Sequence, residues 1–150
     1  RTVQNYPKPV PYQPWPVQQY VYWIVYHGTK GIYQALIILR QGIKPGDGTK
    51  YGVGVYMTFN FNEAQEYSKV GAAILKLYIR TDTKCIEWNS IPGTTPDEKH
   101  AWCIHNGHNM IYIDQYKWFV AIGQKGVPVA IPGLAGVEVL DFHGNPININ

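Results

Sequence analysis

His27, Tyr56, Tyr67 and Glu138 are the side chains of this sequence whose types suit work on a bound ligand. An imidazole donates and accepts hydrogen bonds, an aromatic face attracts a flat cation, and a carboxylate stabilises a positive charge that develops as a bond breaks. His27 is followed at once by Gly28 and Thr29, and Tyr67 follows Tyr56 by eleven residues. Singly, each has a plainer use. A strand-end histidine satisfies a backbone carbonyl, tyrosines fill cores, and a glutamate flanked by valines faces solvent at a sheet edge.

The elements that must position these groups are legible in residues 20–67. Tyr20–Tyr26 is an aromatic and β-branched run that predicts a buried strand, stopped where Gly28 frees the backbone to turn. Ile32–Gln41 carries apolar residues at helical spacing and is followed by Gly42 in the C-terminal capping position. Past the turn signals at Pro45-Gly46-Asp47-Gly48, a second strand is expected over Gly54–Thr58. A second short helix is expected over Asn62–Ser68, with Asn62 as its N-cap. One strand thus ends at His27, and the other carries Tyr56.

His-Gly-Thr at a strand end, then Gly-Val-Gly-Val-Tyr-Met-Thr at 52–58, then Ala64, Gln65 and Tyr67 resemble the NAD-binding half of the His-Tyr-Glu class of ADP-ribosyltransferases. That class includes the poly(ADP-ribose) polymerases and the diphtheria-like and exotoxin A-like toxins. The likeness covers roughly residues 20–80 and is thin afterwards. It implies an α+β ADP-ribosyltransferase fold with a split, mostly antiparallel sheet and short helices, and NAD as co-substrate with no metal. It further implies transfer of ADP-ribose to a macromolecular acceptor, a protein rather than a nucleic acid, with release of nicotinamide; the short chain and its brief loops point to transfer of one unit rather than to polymer formation. Carried over residue by residue, His27 holds the adenosine-side ribose and the Gly28 backbone holds the nicotinamide amide. Thr29 adds a hydroxyl hydrogen bond, Tyr56 and Tyr67 stack on the nicotinamide ring, and a late-strand glutamate acts at the nicotinamide ribose.

Glu138 is the candidate for that glutamate, being the only acidic residue between Asp114 and Asp141 and lying in an apolar late strand. A competing register matches the catalytic strand to Tyr116-Lys117-Trp118-Phe119-Val120. It brings Asp114, Gln115 or Lys117 to the glutamate's position and implies a weak or inactive enzyme. The rival readings are an inactive relative that binds NAD or a protein without turnover, and an NAD glycohydrolase that uses water as acceptor. An RNA phosphotransferase of related fold would want several arginines in its cleft, and only Arg40 and Arg80 lie in the body of the chain.

The 150 residues suffice for one domain with a sizeable core. Twelve tyrosines and five tryptophans against 15% charged residues give a surface polar through Tyr, Asn, Gln and Thr, which leans toward an exported or effector-like domain. A formal charge of +3 does not by itself argue for nucleic acid, and no apolar run is long enough to span a membrane. The sequence opens at Arg1 rather than Met and reads as a cut-out or processed piece. Residues 1–19 hold five prolines and read as an extended arm or linker ahead of a catalytic domain over 20–150.

Further strands are expected over Ala72–Arg80, Asn109–Ile113, Lys117–Ile122 and Val137–Phe142, with Val127–Ile131 as an additional candidate. A helix is expected from Pro96 to Ile104, capped by Thr95, in a stretch 81–100 that is otherwise loop. Glu87 and Glu98 read as surface residues there. His100, His105 and His108 lack a carboxylate or thiolate at helical ligand spacing, so a solvated turn is the simpler reading than a metal site. Cys85 and Cys103 either form one disulfide or stand as two buried thiols. Gly46-Asp47-Gly48 and Gly52-Val53-Gly54 lack the Lys-Ser/Thr and helix of a phosphate loop.

Overall fold

The structure is a computed structural model that describes residues 21–48, 50–68 and 71–148. The proline-rich arm, 1–19, lies outside the described residues. Among the described residues the fold is α+β, with seven strands and three α-helices, and every described strand pairing is antiparallel except one short parallel contact. The chain crosses between two compact units, each assembled from separated segments.

The first unit holds β1 (Tyr22–Gly28), α1 (Ile32–Gln41, but for its last residue), α2 (Phe61–Tyr67), β3 (Ile74–Arg80) and β7 (Leu134–Leu140). Here β3 runs between β1 and β7, antiparallel to both. Its alternation decides the faces: Leu75, Leu77 and Ile79 are buried, while Lys76, Tyr78 and Arg80 are half-buried. Burying each of those three aliphatic side chains stabilises the fold by about 1.5–3 kcal/mol. Helix α2 packs through Ala64 and Phe61 against Tyr26, Ile74 and Leu140, with the Tyr26 and Phe61 rings edge to face at 5.3 Å. Gln65 Nε2 also donates to the Phe142 carbonyl at 2.7 Å. Helix α1 ends where expected, at Gly42, whose φ of +92° is costly for a residue with a side chain.

The second unit holds β2 (Gly54–Thr58), β4 (Ile86–Glu87), α3 (Pro96–His105), β5 (Met110–Ile113) and β6 (Trp118–Ile122). β6 pairs with both β2 and β5, and β4 runs parallel to β5. Cys103 of α3 packs with Tyr51, Ile91, Ile111, Ile113 and Val120 in a core rimmed by Tyr56, Trp88, Trp102, Tyr116 and Trp118. Thr95 caps α3 in a reciprocal box with Glu98: its hydroxyl accepts from the Glu98 N–H at 3.1 Å, and Glu98 Oε1 accepts from the Thr95 N–H at 3.0 Å.

Several expectations shift. The N-cap of α2 is Asn60 rather than Asn62, because Asn60 Oδ1 accepts from the Asn62 N–H at 2.9 Å and starts the helix one residue earlier. β7 begins at Leu134 and stops before Phe142, since the Asp141 carboxylate accepts from the His143 and Asn145 N–H groups and turns the chain. Residues 127–131 contribute a single bridge, Val129 to Ile43, between two prolines that have no N–H to donate. The stretch 81–100 is less loop-like than expected, supplying β4 and a 3₁₀ turn at Trp88–Ser90. Glu87, half-buried rather than on the open surface, caps that turn, while Glu98 is exposed as expected and completes the Thr95 capping box. Cys85 is half-buried, Cys103 is buried, and both are thiols.

Candidate functional site

In the first unit, β1 delivers His27-Gly28-Thr29 at its C-terminal end, as the sequence predicts. Gly28 lies under α2. A Cβ at Gly28 would collide with Ser68 Oγ and come to 2.9 Å of the Ala64 carbonyl oxygen, so glycine is what lets the end of α2 approach. The Ser68 hydroxyl is buried there with no hydrogen-bond partner among the described residues. Thr29 is buried, and its hydroxyl donates to the Ala73 carbonyl at 2.7 Å beside the Thr29 N–H, which donates to the same oxygen at 3.0 Å. That hydroxyl fastens the end of β1 to the start of β3. Tyr67 is the last residue of α2 and is 75% exposed.

Cross-strand register separates His27 from Glu138. His27 stands opposite Leu75, which stands opposite Val139, while Glu138 stands opposite Lys76, which stands opposite Tyr26. Directly opposed residues share a face and successive residues alternate. His27 therefore lies with Leu75 and Val139 on one face, and Glu138 lies with Tyr26, Lys76 and Tyr78 on the other, the face that carries α2. Glu138 accepts a hydrogen bond from the Tyr78 hydroxyl, and Lys76 Nζ lies 5.3 Å from the centre of the Tyr78 ring. Burial, and then the Glu138 carboxylate, push the Tyr78 phenol well above its ordinary value. Tyr78 is the partner that a reading of separate motifs passes over. Strand alternation groups it with Lys76, but only the β3–β7 register adds Glu138.

In the second unit, Tyr56 sits at the middle of β2, opposite Val120 of β6. Its hydroxyl donates to the Gly52 carbonyl at 2.7 Å and accepts from the Tyr51 N–H at 2.9 Å, and its ring meets Trp118 at 6.0 Å. The rival catalytic positions form the β5–β6 hairpin: Asp114 and Lys117 make an exposed ion pair at 2.7 Å, and Lys117 takes a left-handed φ of +57°. The Asp114 carboxyl is held below its usual range by the Lys117 ammonium. Trp118, next in sequence, stands opposite Thr58, which puts this hairpin on the strand that pairs with Tyr56's own.

The histidine trio disperses. His100 is buried with its ring Nε2 2.7 Å from the Tyr51 carbonyl, and His108 stacks on Trp102. Among the described residues no three His, Cys, Asp or Glu side chains stand together as a metal site would need, and no helix is long and apolar enough to cross a membrane.

No family model, curated protein or solved structure matches this chain. What its site does rests on residue chemistry and on the resemblance of its motifs.

Proposed function

We propose that the chain is an NAD-dependent mono-ADP-ribosyltransferase, transferring ADP-ribose to a macromolecular acceptor. In this reading the bond between the ribose carbon and the nicotinamide nitrogen breaks, nicotinamide leaves, and an acceptor nucleophile takes the carbon. By the resemblance, His27 and Gly28 take the dinucleotide, and the stacking roles fall to Tyr67 in the first unit and Tyr56 in the second. The supporting observation is the seating of Gly28 directly against the end of α2, at the Ala64 carbonyl and Ser68. It joins two stretches of the motif, His27-Gly28 and Ala64 to Tyr67, that lie far apart in sequence.

The opposite-face placement of His27 and Glu138 favours a second reading, a module that binds NAD without efficient turnover. One experiment separates the two: nicotinamide release and NAD binding measured together for the wild-type chain, His27→Ala, Tyr56→Ala, Glu138→Gln and Lys117→Glu. Turnover lost with His27→Ala and Tyr56→Ala supports the transferase. A drop of about 10²-fold in Glu138→Gln would identify Glu138 as the transition-state contact. Binding without turnover in the wild type, with turnover gained in Lys117→Glu, supports the module and the hairpin register. Neither binding nor turnover sinks both readings.

A further inference from the structure

We infer that His100, buried on α3, is the positioning residue for the Tyr56 ring. The inference rests on the proposed role of Tyr56 only for its effect on NAD; the coupling itself is a property of the second unit.

Three contacts connect the two side chains. A carbonyl oxygen only accepts, so the 2.7 Å contact between His100 Nε2 and the Tyr51 carbonyl requires the proton on Nε2. Tyr51 in turn donates its N–H to the Tyr56 hydroxyl at 2.9 Å, and that hydroxyl donates onward to the Gly52 carbonyl at 2.7 Å. The phenol is thus gripped by two successive backbone groups of one turn, and His100 is fastened to that turn.

Gly52 makes the arrangement specific. Its φ is +86°, and a Cβ there would collide with the His100 imidazole, so glycine is what lets the ring approach the turn this closely. The surroundings are closed as well. Tyr51 is buried with its ring edge-on to Trp88 at 5.0 Å, and Trp88 meets the His100 ring at 6.5 Å. Removing the imidazole therefore leaves the Tyr51 carbonyl without its donor at a buried place, and the turn relaxes. The Tyr56 hydroxyl must follow the turn.

The test uses the full chain with isotope-labelled tyrosine and histidine. His100→Phe keeps the volume but removes the donor, while His100→Gln places an amide N–H near the position of Nε2. Expected are a protonated Nε2 on His100 in the wild type, displaced Tyr56 ring signals in His100→Phe, and restored signals in His100→Gln. Gly52→Ala should reproduce the His100→Phe pattern from the other side of the contact. For NAD, KM should rise about 10-fold in His100→Phe and recover in His100→Gln, with kcat changing less. Tyr56 signals that stay in place in both His100→Phe and Gly52→Ala would overturn the inference, as would a wild-type His100 protonated only on Nδ1. The Nε2 measurement stands even where a variant fails to fold. A chain that shows the Tyr56 displacement but binds no NAD would refute the transferase reading and leave the coupling intact.

Discussion

His27 and Glu138 lie on opposite faces of the same three strands, because the β1–β3–β7 registers pair His27 with Leu75 and Glu138 with Lys76, one residue out of step. Substitutions at the two should therefore act independently. Under the proposed NAD-binding role of His27, His27→Ala is expected to weaken NAD binding about 10-fold, the size of one or two lost hydrogen bonds, while Glu138→Gln changes it less than about 2-fold. Calorimetric titration of both variants and the double variant would show this. Strong coupling between the two would contradict the opposite-face placement.

Gly28 and Gly31 make a matched pair for a packing test. Gly28→Ala drives a methyl into Ser68 and the Ala64 carbonyl and should cost about 1–3 kcal/mol in urea unfolding. Gly31 has nothing within 4 Å of its added methyl and a φ that side chains tolerate, so Gly31→Ala should change stability by less than about 1 kcal/mol.

Tyr78 gives the fold a dependence on alkaline pH. Its proton is held more tightly in the folded chain than in the unfolded one, by burial and by Glu138. The corresponding stability is complete below the unfolded value of about 10, and is lost as pH rises from there through the higher folded value. Tyr26, pushed up by burial, adds in the same direction. Unfolding followed from pH 8 upward should therefore show a shallower alkaline decline for Tyr78→Phe than for wild type; equal slopes would refute the assignment.

Thr95 should matter to α3 more than its exposure suggests. Thr95→Ala removes the hydroxyl that accepts from Glu98 N–H and is expected to cost about 1 kcal/mol. The Glu98 carboxyl is held low by the Thr94 hydroxyl first, and then by the Thr95 and Thr94 N–H groups. Its contribution is present above the ordinary carboxylate range and lost as pH falls through the folded value. Thermal unfolding between pH 3 and pH 7 should show a smaller acid loss in Glu98→Gln.

Cys85 should be a slow thiol. Burial pushes it up to about 11, so at pH 8 its thiolate is roughly 10²-fold scarcer than that of an ordinary cysteine. Iodoacetamide labelling of the native chain, followed by mass spectrometry, should lag that of a free thiol by about that factor. Fast labelling would mean that the surrounding core opens readily.

Local chemistry made much of this protein legible in its sequence. The aromatic run ending at His27-Gly28, the spacing within Ile32–Gln41, and Thr95-Pro96 with Glu98 three residues after the cap each act over a few residues, and β1, α1 and α3 form close to where they were read. The chemical types of His27, Tyr56, Tyr67 and Glu138 were equally plain. What a single strand leaves open is which residues of distant strands stand opposite it, because a shift of one residue exchanges every face. Pairing of β3 with both β1 and β7 therefore decided that Glu138 meets Tyr78 rather than the face of His27. Packing of α3 beside the turn at Tyr51-Gly52 likewise turned His100 from one of three scattered histidines into the partner of the Tyr51 carbonyl. Those contacts join residues 49 to 60 positions apart, where periodicity carries no information and only the assembled core fixes the register.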